Sequence, residues 1–202
     1  NDHRLGASEA PPAILSIFLG DQLTRVIEEL ERGGSNVTEA KERIQIGVDV
    51  LPLLPRDSTD RNRTSPFAYT GGKFEFRAPG ASSSCAGPNI VLNTIVAEAF
   101  DEIATALEAA GDVEFQPTLQ KLLQEIIVKH KRIIFNGDNY SEEWVREAHR
   151  RGLPNARTTP AALRALIQPE NIELFERYQV LSRSELLSRY EVFMDEYRMR
   201  LK

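Results

Sequence analysis

Three charged residues alternate with two phenylalanines, Phe74 and Phe76, in the segment Lys73–Arg77. Because successive side chains of a β-strand point to opposite faces, the pattern predicts both phenylalanines in the core and the charged row on the other face. Glu75 offers the hard oxygens that Mg²⁺ or Mn²⁺ binds, and Arg77 can hold a carboxylate through two parallel hydrogen bonds. From alternation alone, a solvated row of structural ion pairs is the favoured interpretation.

A loop rich in charge precedes this strand. It carries three arginines with two aspartates between them: Arg56, Asp57, Asp60, Arg61 and Arg63. Such a loop can bring a guanidinium onto a phosphate, although a mixed-charge surface loop is the favoured interpretation when the loop is taken alone. Next to a strand with a Lys-Glu-Arg face, it concentrates groups suited to phosphoryl transfer.

A third segment, Asn1–Pro11, is a glycine-containing loop that carries Arg4 and Glu9 just before an apolar periodic stretch. On physical grounds alone, Glu9 is an acidic residue near the first turn of a helix, where the helix dipole favours negative charge. The local pattern assigns no role to Arg4.

Periodicity predicts the elements that must position these residues. Apolar residues at helical spacing predict a helix from Pro11 to Leu30, which Arg32-Gly33-Gly34-Ser35-Asn36 ends. Alternation predicts a strand over Ile44–Val50. Two further strands, Pro66–Tyr69 and Lys73–Arg77, are joined by Thr70-Gly71-Gly72 and form a predicted hairpin. We expect residues 78–88 to be an irregular loop.

From Asn89 onward the pattern is helical, with one apolar stripe up to Leu107 and another from Leu119 to Ile134, after Pro117. Helix-start signals follow at Ser141, at Thr159-Pro160, at Pro169 and in the capping-box sequence Ser182-Arg183-Ser184-Glu185. The predicted fold class is α+β, with antiparallel strands and helices in residues 1–112 and an all-helical region in residues 113–202.

Composition excludes some classes of partner. The chain has 202 residues, a formal net charge of -5 and one cysteine, Cys85, so no intrachain disulfide can form. A mildly acidic chain offers no field for nucleic acid or anionic lipid, and no apolar run is long enough to span a bilayer. The sequence begins at Asn1 rather than Met and ends inside a helical pattern, so we expect both ends to lie within a longer protein.

The three segments occur in an order that resembles glutamine synthetases. That family carries Arg-Leu and Glu-Ala-Pro in one loop, then Asn-Arg-Ser/Thr, then a basic-apolar-Glu-apolar-Arg strand. In this chain the matching residues are Arg4-Leu5 with Glu9-Ala10-Pro11, then Asn62-Arg63-Thr64, then Lys73–Arg77. The large, type III branch of the family has similar amino-acid sequences in the segments that match residues 60–67, 87–94 and 133–141.

The resemblance implies a role for each matching residue. It implies catalytic roles for Glu9, on a flap over the site, and for Arg63, which also contacts the ATP phosphates. It implies that Arg4 and Arg77 bind glutamate, that Lys73 lies near the nucleotide, and that Glu75 is a ligand of the divalent metal.

The implied reaction joins ammonia to glutamate at the expense of ATP, through γ-glutamyl phosphate, with Mg²⁺ or Mn²⁺. The resemblance also implies a homo-oligomeric ring in the cytoplasm. Two alternatives remain open at this point. One is a related γ-glutamyl-amine ligase, and the other is a non-catalytic paralogue that senses nitrogen or serves as a scaffold.

The chain departs from the family pattern in three ways. Ala68 stands where the smaller family members have a second arginine, five residues after the one that matches Arg63, and the Arg4-to-Glu9 spacing is one residue shorter than theirs. Gly72 precedes the hairpin lysine, where most type III relatives have an asparagine. The family's other metal ligands and its ammonium site correspond to residues before Asn1, so we expect this chain alone to be inactive.

Overall fold

A computed structural model describes residues 14–33, 65–78 and 84–200. These residues form a three-stranded sheet and a larger set of helices, which confirms the α+β class. The strands are β1 (Ile17–Phe18), β2 (Phe67–Tyr69) and β3 (Phe74–Phe76). The helices are α1 (Gly20–Glu31), α2 (Ala86–His130), α3 (Glu142–Arg150), α4 (Thr159–Leu163), α5 (Pro169–Arg177) and α6 (Arg183–Arg200), with 3-10 turns at Lys131–Ile133 and Arg164–Ile167. The predicted strand Ile44–Val50 lies outside the described residues.

The sheet has the order β1-β2-β3. Strands β2 and β3 are antiparallel, as the predicted hairpin requires, and Ala68 lies opposite Glu75. Strand β1 was not predicted, and it pairs with β2 in parallel. A parallel partner must arrive by a long connection, which the spacing of local residues does not reveal.

The helix predicted from Pro11 to Leu30 is wrong over residues 14–19, and residues 11–13 lie outside the described residues. The Phe67 amide donates to the Ser16 carbonyl at 3.3 Å, and the Phe135 amide donates to the Ile17 carbonyl at 2.9 Å. These pairings with distant segments hold Ile17 and Phe18 in a strand, so α1 begins only at Gly20. The predicted end is confirmed, since Gly33 follows the helix with φ of 78°.

The prediction that Phe74 and Phe76 enter the core is also wrong, because their exposures are 55% and 36%. Phe76 packs against Phe67 with ring centroids 4.6 Å apart, and Phe74 packs against Tyr69 at 5.2 Å. The four rings form cross-strand pairs on one face of the hairpin, while the opposite face carries the fully buried Ala68. The alternation itself is confirmed, but the buried side of the sheet is not the predicted one.

Helix α2 begins at Ala86, three residues earlier than predicted, and continues through Pro117 to His130. Its interruption lies at Gly111, which adopts φ of 64° and ψ of 179°. Side chains other than hydrogen are essentially excluded from that conformation, so the glycine permits the kink. Ile133 and Ile134 leave the predicted helical stripe and lie in a 3-10 turn and an isolated β-bridge to Ile17.

Replacing Gly111 by alanine is expected to destabilise the protein by about 1–3 kcal/mol, because the Cβ meets no atom within 4 Å but the backbone conformation is strained. Gly87 is the matched control, since a Cβ there also meets open space and its φ is ordinary. Urea unfolding of both variants measures the effect. Stabilisation by Gly111→Ala would show instead that the helix straightens without penalty.

Two hydrophobic clusters organise the described residues. The first joins Ile14 from the N-terminal side to Trp144, Ala148 and Leu153. The second joins Ile172, Phe175 and Leu186, with Ile90 of α2 packed against them. Each cluster therefore combines residues from before and after Gly111, and the division into residues 1–112 and 113–202 stays a prediction.

The helix starts of the C-terminal region agree with the cap signals. Ser141 accepts a hydrogen bond from the Trp144 amide at 3.1 Å at the start of α3. Ser182 and Glu185 form a reciprocal capping box before α6, in which the Glu185 carboxylate accepts from the Ser182 amide at 2.8 Å. Helices α4 and α5 begin at the predicted positions. Among the described helices, none combines the length and apolarity that crossing a membrane demands.

Candidate active site on strand β3

The structure brings together the three predicted site residues that it describes. Lys73, Glu75 and Arg77 lie on and beside β3, on the face predicted from the alternation. The other three predicted site residues, Arg4, Glu9 and Arg63, lie outside the described residues. Within the described part of the chain, the candidate site is therefore the Lys73-Glu75-Arg77 row.

Glu75 is the centre of this row. One of its carboxylate oxygens lies 3.1 Å from the Lys73 ammonium nitrogen, and the other lies 3.1 Å from a terminal nitrogen of Arg77. Side-chain exposure falls along the row, from 71% at Lys73 to 34% at Glu75 and 16% at Arg77. The row thus runs from a solvated ammonium to a largely covered guanidinium.

The hydrogen bonds from Lys73 and then from Arg77 lower the pKa of Glu75 below its ordinary value. Its carboxyl group is therefore ionised at neutral pH, which is the state required of a metal ligand. Each oxygen already has one cationic partner, so a metal ion bound at Glu75 would compete with an ion pair for that oxygen. The Lys73 pair is the easier to displace, since that side chain is the more exposed of the two partners.

The chemistry of Glu75 fits Mg²⁺ or Mn²⁺ as one ligand. Within residues 14–33, 65–78 and 84–200, no group of three or more His, Cys, Asp or Glu side chains forms a complete metal site. Glu75 therefore needs ligands from elsewhere to complete a coordination sphere, which for these ions has about six oxygens.

The register explains how Ala68, the departure from the family pattern, fits the sheet. Ala68 lies directly opposite Glu75 and has no exposed surface. Any phosphate contact that the missing arginine supplies in smaller family members must come from another residue.

Sequence reasoning missed a polar network that holds the sheet. The Ser16 hydroxyl donates to the Ser65 hydroxyl at 2.8 Å, and the Ser65 hydroxyl donates to the Phe135 carbonyl at 3.1 Å. Beside it, the Asn136 side-chain oxygen accepts from the amides of Leu19 and Gly20 at 3.0 and 3.2 Å. Asn136 therefore caps α1 from a distant part of the chain.

A second glutamate, Glu147 on α3, resembles Glu75 in its pairing. It accepts hydrogen bonds from Arg150 at 2.7 Å and from Arg151 at 2.6 Å, and its side chain is 30% exposed. Hydrogen bonds from Arg150 and then Arg151 lower the pKa of Glu147 from 4.5 to about 2. Glu147 lies in the helical region, on the element that carries Trp144, rather than on β3.

Replacing Glu147 by glutamine is expected to remove a pH-dependent contribution to stability. Because the pKa is lower in the folded state, this contribution is full above pH 4.5 and is lost as the pH falls through about 2. Urea midpoints of the wild type and of Glu147→Gln between pH 7 and pH 2 provide the measurement. We expect their difference to shrink as the pH falls, and a constant difference would contradict the assignment.

The whole chain is similar in sequence to known proteins. The sequence model of the glutamine synthetase C-terminal domain matches residues 118–202. The chain is 44% identical over 206 residues to a type-3 glutamine synthetase of Dictyostelium discoideum and 40% identical over 207 residues to a glutamine synthetase of Bacteroides fragilis. A glutamine synthetase of Butyrivibrio fibrisolvens is 40% identical over 204 residues.

These alignments cover 100%, 100% and 98% of this chain, respectively. In each case they cover 28% of the relative, so the chain spans somewhat more than a quarter of the length of the curated relatives it matches. The aligned ranges include the Lys73-Glu75-Arg77 row as well as the helical region. Over its length, the chain is therefore similar to one part of glutamine synthetases.

Proposed function

We propose that the complete protein is a glutamate–ammonia ligase, which forms glutamine from glutamate, ammonia and ATP. The observation that carries the proposal is the row on β3, in which a carboxylate lies between an ammonium and a guanidinium. The similarity to glutamine synthetases supplies the substrate class. The residues of this chain contribute one part of the active site.

The reaction needs an activated carboxylate, because the side-chain carboxylate of glutamate is a poor electrophile. Transfer of the terminal phosphoryl group of ATP to that carboxylate gives γ-glutamyl phosphate and ADP. Ammonia then attacks the acyl carbon, and phosphate leaves as glutamine forms. The protein must therefore hold two anionic substrates side by side and neutralise the charge of the moving phosphoryl group.

The row provides groups for these tasks. In this proposal Arg77 holds a carboxylate of glutamate, and its low exposure of 16% favours a strong, water-poor pairing. Glu75 holds Mg²⁺ or Mn²⁺, a cation that would stabilise the charge of the transferred phosphoryl group when bound. Lys73 lies near the nucleotide, where its exposed ammonium can exchange Glu75 for a phosphate oxygen.

The remaining roles fall on residues outside the described ranges. Arg63 would neutralise the ATP phosphates, Arg4 would contact glutamate, and Glu9 would act from a flap that keeps water from the acyl phosphate. Their support is the match of sequence motifs. The division into residues 1–112 and 113–202, a homo-oligomeric ring and a cytoplasmic location belong to the same proposal.

The proposal is tested with the complete protein by following phosphate release from ATP and glutamine formation, with Mg²⁺ or Mn²⁺. We expect both products to appear in equal amounts, and only when glutamate and ammonium are present together. Turnover that requires another amine in place of ammonium would indicate a γ-glutamyl-amine ligase. A folded protein that turns over under none of these conditions would indicate a non-catalytic paralogue.

A further inference from the structure

We infer that Ser65 is a positioning residue for the glutamate-binding arginine, Arg77. This inference rests on the proposed function, because it concerns how Arg77 is held in place for its substrate. Ser65 lies just before β2, does not touch the charged row, and matches none of the family motif positions that carry a role. Its effect is transmitted through the backbone of the hairpin.

The first step is the anchoring of Ser65 itself. Its side chain is buried, with 3% exposure, and so is Ser16, with 2%. The Ser65 hydroxyl accepts a hydrogen bond from Ser16 and donates one to the Phe135 carbonyl. It therefore joins three segments that are far apart in sequence: the β1 segment, the start of β2 and the turn that follows α2.

Ser65 is connected to Arg77 through the main chain of Pro66. The next residue, Pro66, is fully buried, and its carbonyl accepts the Arg77 amide at 2.8 Å. This bond lies just beyond the Phe67–Phe76 pair, at the end of the β2–β3 ladder. The position of the Arg77 main chain therefore depends on Pro66, which the Ser65 hydroxyl fixes against Phe135.

The consequence of removing the hydroxyl follows from burial. Alanine at position 65 leaves the buried Ser16 hydroxyl without its acceptor and the partly buried Phe135 carbonyl without this donor, which is unfavourable. The start of β2 is then free to shift, and the Pro66–Arg77 hydrogen bond weakens. Because a small displacement of a substrate-binding group has a large effect, we expect glutamate binding to suffer before the fold does.

The experiment compares Ser65→Ala with Ser141→Ala in the complete protein. Ser141 is a matched control, because it is also a serine that anchors main chain, as the cap of α3, but its hydroxyl bonds to Trp144 and Asp138 and not to the hairpin. Hydrogen exchange followed by mass spectrometry reports on the Arg77 amide through overlapping peptides of the hairpin. We expect exchange at Arg77 to be roughly ten-fold faster in Ser65→Ala and unchanged in Ser141→Ala.

Kinetics provide the second readout. We expect Ser65→Ala to raise the KM for glutamate roughly ten-fold, with kcat and the KM for ATP changed less than about two-fold, because uniform binding of glutamate is lost. Ser141→Ala should leave each KM unchanged. Ser16→Ala removes one of the two bonds to Ser65 and should show the same effects to a smaller extent, which keeps the test open if Ser65→Ala does not fold.

Unchanged exchange at Arg77 would overturn the inference whatever the kinetics. Faster exchange with an unchanged KM for glutamate would also overturn it, because the anchoring would then have no role in substrate binding. An equal rise in KM in Ser141→Ala would reduce the effect to general destabilisation. A wild type that forms no glutamine would instead refute the proposed function, while the exchange data would still decide whether Ser65 fixes Arg77.

Discussion

Glu75→Ala is expected to lower kcat/KM for glutamine formation by roughly a hundred-fold or more. A bound metal contributes several kcal/mol to the stabilisation of a transferring phosphoryl group, and about 1.4 kcal/mol corresponds to a factor of ten. Loss of one of its ligands should therefore be severe. Steady-state assays of the complete protein at increasing Mg²⁺ or Mn²⁺ should also show that more metal is needed for half-maximal activity.

Glu147→Ala is the matched control for this prediction. Both glutamates pair with two cations, and their exposures of 30% and 34% are nearly equal, but only Glu75 lies on β3. If Glu75 were merely a structural ion-pair residue, the two variants would behave alike. We expect Glu147→Ala to retain activity within about two-fold, since exposed ion pairs contribute little to stability. Equal activities of the two variants would refute a role of Glu75 in metal binding.

Trp144→Ala is expected to destabilise the helical region by about 3–5 kcal/mol, the usual range for deletion of a buried aromatic side chain. Trp144 is 1% exposed and stacks on Phe135 with ring centroids 3.8 Å apart. The Arg151 guanidinium covers the indole at 5.3 Å from its centroid. Because the Phe135 carbonyl also accepts the Ser65 hydrogen bond, loss of the Trp144 ring should also weaken the contact that holds the sheet.

Thermal unfolding of the complete protein measures this effect, and we expect a fall in Tm on the order of 10 °C. Trp144→Phe is the informative companion variant. It keeps an aromatic ring on Phe135 and removes an indole N–H that finds no hydrogen-bond partner within the described residues. Trp144→Phe should therefore destabilise the protein much less than Trp144→Ala does. A similar fall in Tm for both variants would mean that the contact with Phe135 is not the main contribution of Trp144.

The local features of the fold were predictable from the sequence. The β2–β3 hairpin, the end of α1 and the caps at Ser141 and Ser182 each depend on residues a few positions apart. Strand β1 was not predictable, because its hydrogen-bond partners, Phe67 and Phe135, lie far away in the sequence. The spacing of apolar residues within the segment carries no information about partners that distant. A boundary was predicted at residue 112, one residue after Gly111, but the sequence did not show that α2 kinks there and then continues to His130.

In the candidate site, too, the features that depend on neighbouring residues were predictable and those that depend on distant contacts were not. Alternation predicted that Lys73, Glu75 and Arg77 share a face, and the ion pairs confirm that they do. Which side of the sheet is buried depends on what covers it, so the same alternation could not predict the exposure of Phe74. Ser65 escaped notice because its hydrogen-bond partners lie 49 and 70 residues away. A serine gives no periodic signal, and only a buried position reveals its importance.

The capping of α1 by Asn136 has a consequence for biosynthesis. Leu19 and the side chain that accepts its amide are separated by 117 residues. At roughly 5–20 residues per second, a ribosome needs about 6–23 s to make that stretch. During synthesis, the β1 segment and the first turn of α1 therefore lack their final hydrogen-bond partners. The apolar residues beside them stay exposed until the turn after α2 has been made. Chaperones that bind nascent apolar segments can therefore act on the β1 segment before its partners are made.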